Sequence, residues 1–295
     1  MPLSILVWDR PKRAAARPDR PGGAGLAVGL VMLAAIALAG VWADELAPRD
    51  PARQYLDQRL APPGGEFVLG ADALGRCVLS QLLHGIRPTL GLAVGTTAAV
   101  TLLGLAVGLG CVALPRADGA LMRLTDCFFA FPPIVLMLVT VNVLGPGLWS
   151  IALALVLSGW PKYARVARTV ALTVKAQPFV EATRALGAGG WYVLRRCYLP
   201  AVLAPLSTIA TIGVGTRIVY IAGLGVLGLG VPPPTPEWGT MLCKGLPLLT
   251  TAPHVALAAG AAIVVTTFAF TLAGEALRDR LDPGAAGQLE ILWRS

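Results

Sequence analysis

KYARVARTVALTVKAQPFVEATRALGAGGWYVLRRCYLP, residues 162–200, is the stretch whose reading decides the fold. It is the only long polar segment between strongly apolar runs in the second half of the chain. Seven of the 24 Lys+Arg residues fall in it: Lys162, Arg165, Arg168, Lys175, Arg184, Arg195 and Arg196. Its one acid is Glu181. Lys162, Arg165 and Arg168 recur every three residues, a basic stripe whose long stems can reach lipid headgroups. Pro178 suits the first turn of a helix. Glu181 follows within that turn, where a carboxylate complements the helix dipole. Phe179, Val180 and Ala182 give this short helix an apolar side. Gly187 and Gly189-Gly190 break it, and a second helical piece, Trp191 to Tyr198, follows. Two short helices joined at glycine make a knob for a partner's groove; the alternative is a loop that covers its own helix ends.

Working outward, the chain reads as an all-α integral membrane protein. Mean hydropathy is +0.70, and only 14% of its 295 residues are charged, against about 25% in a soluble domain. Residues 21–43 carry no charge. Val41-Trp42-Ala43 offers a signal-cleavage site, but a signal core is about 7–15 residues. This run is long enough to cross the roughly 30 Å hydrocarbon layer and reads as an uncleaved first span over 25–43. Residues 1–24 form a polar tail. Residues 44–87, with mixed charges and prolines, are too polar to span and form a connection. Pro88 to Pro115 is charge-free and makes the second span. It holds Gly91-Leu-Ala-Val-Gly95 and Gly104-Leu-Ala-Val-Gly108, a pentapeptide also found at Gly25 to Gly29. Small residues four apart allow close helix approach within lipid.

The third span, about Gly119 to Leu144, carries Arg123 and Asp126 on one face. Pro132-Pro133 should kink or break it. Leu148 opens the fourth span, which runs past Trp160-Pro161 into the basic loop. Ala201 to Ala222 is the fifth, interrupted by Arg217, and His254 to Ala273 the sixth. Residues 88–284 thus form a five-helix core around loop 162–200, with a tail at 285–295. Six spans put both termini on one side. Placing the termini, the Arg116 turn and the 162–200 loop in the cytoplasm assigns 17 Lys/Arg there and six opposite. This N-in/C-in arrangement satisfies the positive-inside rule.

Several chemistries are excluded. The net charge of +8 comes with no nucleic-acid motif and no basic face interleaved with exposed aromatics. None of the four lysines follows a glycine, so no Walker A cradle is possible. Gly223-Leu-Gly225-Val-Leu-Gly228 matches G-x-G-x-x-G without a flanking βαβ unit, and reads as a pliable helix end. Ser80 and His84 form an i, i+4 pair with no acid in sight to orient the histidine. Five scattered cysteines without C-x-x-C and two histidines suggest no metal cage. No catalytic residue is expected.

Glu181-Ala182-Thr183, three residues, Gly187, nine residues, then Cys197-Tyr198-Leu199-Pro200 resembles the EAA signature of ABC-importer permeases. Thr183 and Cys197 depart from its Ala and Ile. Three further stretches resemble the C-type subunit of the dipeptide/oligopeptide/nickel branch of that family. They are Leu69-Gly-Ala-Asp72-Ala-Leu-Gly-Arg76-Cys77, Leu227-Gly-Leu-Gly230 with Pro233-Pro-Thr-Pro-Glu237-Trp238-Gly239, and Ala276-Leu-Arg-Asp-Arg-Leu-Asp-Pro283. The resemblance covers roughly 66–284.

It implies the type I ABC-importer permease architecture in the cytoplasmic (inner) membrane. It also implies a heterodimer with a second permease, two ATP-binding subunits that hold ATP and Mg, and an extracytoplasmic binding protein. Glu181, Ala182, Thr183, Gly187, Leu199 and Pro200 would carry ATPase coupling. The permease itself would need no cofactor or metal. Arg217, inside a span, is a candidate for the translocation path, with a salt bridge or snorkelling position as the other reading; Asn142 and Thr140 are weaker candidates. Cargo within the branch spans dipeptides, oligopeptides, nickel and metal chelates. The rival class is an ATP-independent transporter, channel or membrane scaffold, which would have no need of the Glu181-to-Pro200 spacing.

Overall fold

The computed structural model describes residues 22–281, and the structural statements below refer to these. The expected tail up to residue 21, the tail at 285–295 and the Asp282-Pro283 end of the last resemblance lie outside them. Among the described residues the only β pairing is two isolated bridges, Gly64 with Phe67 and Ala71 with Cys77. The rest of the regular structure is helical. In order come α1 (Gly22–Val41), α2 (Ala43–Leu46), α3 (Val78–Ala113), α4 (Pro115–Phe129), α5 (Pro133–Leu144) and α6 (Leu148–Lys175). They are followed by α7 (Pro178–Ala185), α8 (Gly190–Val193), α9 (Leu199–Leu224), α10 (Trp238–Gly245) and α11 (Pro253–Leu281). Four helices, α4, α5, α7 and α11, open on proline, whose fixed φ suits the first turn and whose missing N–H would be orphaned there anyway.

Three helical runs are long and apolar enough to cross a membrane: α3, Gly190–Leu229 and α11. The α4–α5 pair, bent by 85°, makes a fourth if taken as one broken span. Pro132, which has extended backbone (ψ 131°), sits at the break, as expected. Reaching six requires α1 and α6 as well. The described apolar part of α1 is Gly25–Val41. The 28 residues of α6 are about 42 Å long, but their second half is basic.

α11 runs on to Leu281, past the expected end at Ala273, and three further helix boundaries depart from the expectation for a visible reason. First, α3 starts at Val78 and holds Pro88 inside it. Its polar first turns are viable because they have partners. Arg87 donates to Gly40 O (Nε, 2.7 Å), Val41 O (Nη2, 2.8 Å) and the Asp44 carboxylate (2.8 Å), so it caps the last carbonyls of α1. Second, α6 continues through Lys175 into the stretch read as loop. Ala164, Ala167 and Ala171 are fully buried at helical spacing beneath the basic face. Third, Trp191–Tyr198 and the fifth span are one helical run, Gly190–Leu229. Pro200 lies inside it, just past a π-turn at Leu194–Tyr198. Proline lacks an N–H and crowds the preceding turn, and a widened turn relieves both.

Two apolar clusters stack along the bundle. One holds Val78, Ile86, Met137, Ile151, Ile218 and Trp238. The other holds Leu109, Val112, Trp160, Tyr163, Val180, Val193 and Leu206. The repeated Gly-Leu-Ala-Val-Gly has three fates. A Cβ at Gly104 would lie 2.4 Å from Tyr163 Cβ, and one at Gly108 2.5 Å from Ala167 Cβ. This copy lets α3 touch α6. At Gly91 and Gly95 a Cβ would meet nothing within 4 Å. At Gly29 it would come within 2.9 Å of Ala273 N on α11, whereas Gly25 is open.

Candidate functional site

α7 is the helix expected from Pro178, and it carries Glu181, Ala182 and Thr183. Val180 is buried in the cluster beneath, while Glu181 and Ala182 are exposed. The helix ends in a paired stop. Gly187 N–H donates to Arg184 O (2.9 Å) and Ala188 N–H to Thr183 O (3.3 Å), with Gly187 at φ +87°. This is the glycine-dependent helix terminus in which the left-handed residue follows the last turn. A Cβ at Gly187 would meet nothing within 4 Å, so the need for glycine there is conformational, not steric. The chain then re-enters helix at α8, where Val193 is buried and Trp191 and Tyr192 are not. Arg184 Nη2 donates to Tyr198 Oη (3.0 Å), tying α7 to the π-turn. Leu199 packs partly into the cluster, and Pro200 is exposed. The pair therefore sits on the first turn of α9.

What remains outward is apolar. Leu186 is 90% exposed, Trp191 73%, Phe179 54% and Tyr192 53%. Around them stand Arg184, Arg195 and Arg196, all exposed. An apolar centre with a charged rim is the composition of an interface. The base of the loop is braced by ion pairs between α4 and α6. Arg168 pairs with Asp118 through both Nε (2.5 Å) and Nη2 (2.6 Å), a two-pronged geometry. Asp126 pairs with Arg165 (2.6 Å); the same-face partner suggested by spacing, Arg123, is not the one used.

Arg217 is buried, 6% exposed. Its Nη1 donates to Gly213 O (3.1 Å) and Tyr163 Oη (3.4 Å). Its Nε is buried without a partner. It lies beside a cavity of about 160 Å³ between α4, α5, α6 and α9. Thr140 and Asn142 do not line that cavity. Their side chains bond the carbonyls of Leu136 (2.7 Å) and Leu138 (2.8 Å) on their own helix. The structure thus does not bring the three path candidates together. Tyr163 and Lys162, which do line the cavity, fall in the stretch expected as loop but lie on α6. Ala164, Ala167 and Ala171 on α6, three and then four residues apart, are the signal that places them in the bundle.

The opposite end of the bundle holds two of the other quoted stretches, those around Asp72 and Glu237. Asp72, 6% exposed, accepts from Leu74 N, Arg76 N, Arg76 Nε and Gln81 Nε2 at 2.8–3.0 Å. Burial pushes this carboxyl up, but its bonds to Arg76 and Gln81 outweigh that and hold it below the usual range. Gly75 has φ +75°, and a Cβ there would strike Tyr55 O. Glu237, fully buried, caps α10 by accepting from Gly239 N (2.6 Å) and Thr240 N (2.9 Å). Trp238 Nε1 donates to Leu82 O (2.9 Å). His84 has an acid after all, since its Nε2 meets Asp44 Oδ1 at 3.0 Å. Its Nδ1, however, faces the Ser80 carbonyl (2.9 Å) and not the hydroxyl, so no nucleophile–base pair forms. Among the described residues no three His, Cys, Asp or Glu side chains gather. Of the cysteines, Cys77 and Cys111 are buried and Cys127 is exposed.

An all-helical, apolar core with an outward loop of glycine-broken helices defines the membrane-embedded subunit of a transporter. The fold is similar to a chain of the MetNI methionine ABC transporter in inward-facing form. The TM-score is 0.57 at 23% identity, over 68% of this chain and 96% of that one. Residues 100–287 match the binding-protein-dependent transport system inner membrane component family, and the chain belongs to that family. It is 38% identical over 262 residues to the di/tripeptide transport system permease protein of Pseudomonas aeruginosa, covering 86% of each chain. It is 38% identical over 256 residues to the nickel transport system permease protein of Escherichia coli, covering 86% of this chain and 91% of that one. The protein is an inner-membrane permease component and not itself a catalyst.

Proposed function

We propose that this chain is one of two permease subunits of an ATP-driven importer of the peptide/nickel class. It pairs with a second permease, two ATP-binding subunits and an extracytoplasmic binding protein. Its cargo is a dipeptide or oligopeptide, or nickel or a metal chelate. The carrying observation is α7: a helix anchored by Val180, stopped by Gly187 and flanked by the exposed Leu186 and Trp191. In this reading it seats in an ATP-binding subunit, which holds the ATP and Mg, and Glu181, Ala182, Thr183 and Gly187 set its shape. The run from Gly190 to Leu229 stays helical up to Leu227, before the left-handed Gly228 (φ +79°). Leu199 and Pro200 lie at its base and Arg217 further along. Closure of the ATPases tilts this lever and moves the span walls. The spans number six, with both termini and residues 162–200 in the cytoplasm and 44–77 outside. Thr140 and Asn142 belong to the path in the assembled dimer.

Purification with the ATP-binding subunits, followed by ATP hydrolysis with and without the binding protein and cargo, tests this. Stimulated hydrolysis and ATP-dependent uptake into vesicles are expected. Uptake that continues without the ATP-binding subunits would overturn the reading.

A further inference from the structure

We infer that Arg217, with Tyr163 and Lys162, forms a binding site for a carboxylate of the transported molecule. This deepens the importer reading and rests on it. Arg217 sits where the two apolar clusters meet: Val214 and Ile218 beside it belong to one, Tyr163 to the other. A guanidinium inside an apolar bundle is retained where it faces a ligand path or a paired charge. It carries five N–H donors. Within this chain Nη1 has the Gly213 carbonyl and the Tyr163 hydroxyl, while Nε is buried with no partner. The polar groups lining the adjacent cavity are Ser158, Lys162, Tyr163, Thr216, Arg217 and Tyr220, and no acid lines it. Two cations and several hydroxyls without a carboxylate leave a site in need of an anion.

The site is also shaped for the head group. A Cβ at Gly159 would stand 2.7 Å from Arg217 Nη2, and one at Gly213 3.1 Å from Nη1 and 2.3 Å from Tyr163 Oη. Two glycines on facing helices therefore make the space the guanidinium occupies. The cavity is about 160 Å³. That fits one terminal group of a cargo molecule, not the whole of it. The planar guanidinium matches a carboxylate in a two-pronged fashion. A lipid phosphate offers the same oxyanion chemistry, and an acid of the second permease would neutralise the same charge; both are separable.

The test uses the assembled transporter in lipid nanodiscs with Ser158→Cys as a reporter in the cavity wall. Its rates of modification by anionic sulfonatoethyl and cationic trimethylammonioethyl methanethiosulfonate are each divided by that reagent's rate with free cysteine. The parent complex without the new cysteine is the background. The expected anionic preference is about tenfold, lost in Arg217→Gln and kept in Arg217→Lys. Succinate should slow the anionic reagent, and succinamide should not. Should Arg217→Gln fail to assemble, Lys162→Gln at its exposed position should lower the preference about threefold. Parity or a cationic preference overturns the inference, because the charge is then neutralised by a neighbouring subunit. No labelling by either reagent overturns it, because the cavity is then sealed. Equal effects of succinate and succinamide overturn it too. An anionic rate that rises only when acidic lipids are left out assigns the site to a headgroup, and overturns it. Binding-protein-stimulated ATP hydrolysis in the same preparation reports separately on the importer reading.

Discussion

At the end of the bundle that carries residues 47–77 and α10, buried polar groups find their partners within the chain. At the end that carries α7 and α8, large apolar side chains stand open. Asp72 gathers Arg76, Gln81 and its own turn, Glu237 caps α10, and Trp238 locks onto α3. Across the molecule, Leu186, Trp191, Phe179 and Tyr192 are exposed above a base where Val180 and Val193 are buried. The first end satisfies its buried carboxylates and its buried indole within the chain. The second leaves four large apolar side chains uncovered. Substitutions should therefore disturb folding at the first end and association at the second.

The largest effect on stability should come from Trp238→Ala. The ring is 2% exposed and rests on Gly85, where a Cβ would come within 2.8 Å of it. Truncation should cost about 3–5 kcal/mol, read as a lowered melting temperature of the purified complex. If Trp238→Ala melts like the parent, the contrast between the ends is broken. Next is a paired test within one repeated pentapeptide. Gly108→Ala forces a Cβ to 2.6 Å from Ala164 O and should cost about 1–3 kcal/mol. Gly95→Ala meets nothing and should be neutral or gain helix propensity.

A smaller, pH-dependent effect belongs to Asp72. A carboxyl held low in the folded chain contributes stability above its unfolded pKa, near about 3.9. That contribution is lost as pH falls through the folded value. Melting of the parent should thus carry an Asp72 contribution that is constant from neutral pH to about 5 and fades in stronger acid. Asp72→Asn should remove the fade while lowering stability at neutral pH. Gly187→Ala should act on melting only locally, around α7. Its φ of +87° costs a residue with a Cβ about 1–2 kcal/mol but meets no atom, so local fraying of α7 is expected, with a marked loss of uptake. That split, little melting change and much lost transport, sharpens the comparison further.

Much of this was legible in the sequence wherever a local rule had no competitor. Pro178 and Gly187 bounded α7, and the Pro132-Pro133 pair broke the third span, because proline and glycine act through their own backbones. Boundaries failed where a second pattern lay under the obvious one. The charges of Lys162, Arg165 and Arg168 marked a loop, but the alanines between them carry the packing against Gly104 and Gly108. Residues 78–87 looked like connection because their polar groups had no visible partners; those partners, Asp44 and the end of α1, are some forty residues away. Arg217 was recognisable from its place in an apolar run. Its neighbours Tyr163 and Gly159 were not, since helix-to-helix pairing leaves no mark in a single chain.

The most direct test of the central claim, that the open loop is the seat of the ATP-binding subunit, is the affinity of that subunit for the permease pair carrying Leu186→Asp or Trp191→Asp. Both side chains are largely exposed, so the variants should melt within about 0.5 kcal/mol of the parent. A buried aromatic or aliphatic anchor is worth about 2 kcal/mol or more at an interface. The expected result is binding weakened at least about tenfold, with melting unchanged. Unchanged binding in both variants would contradict the account.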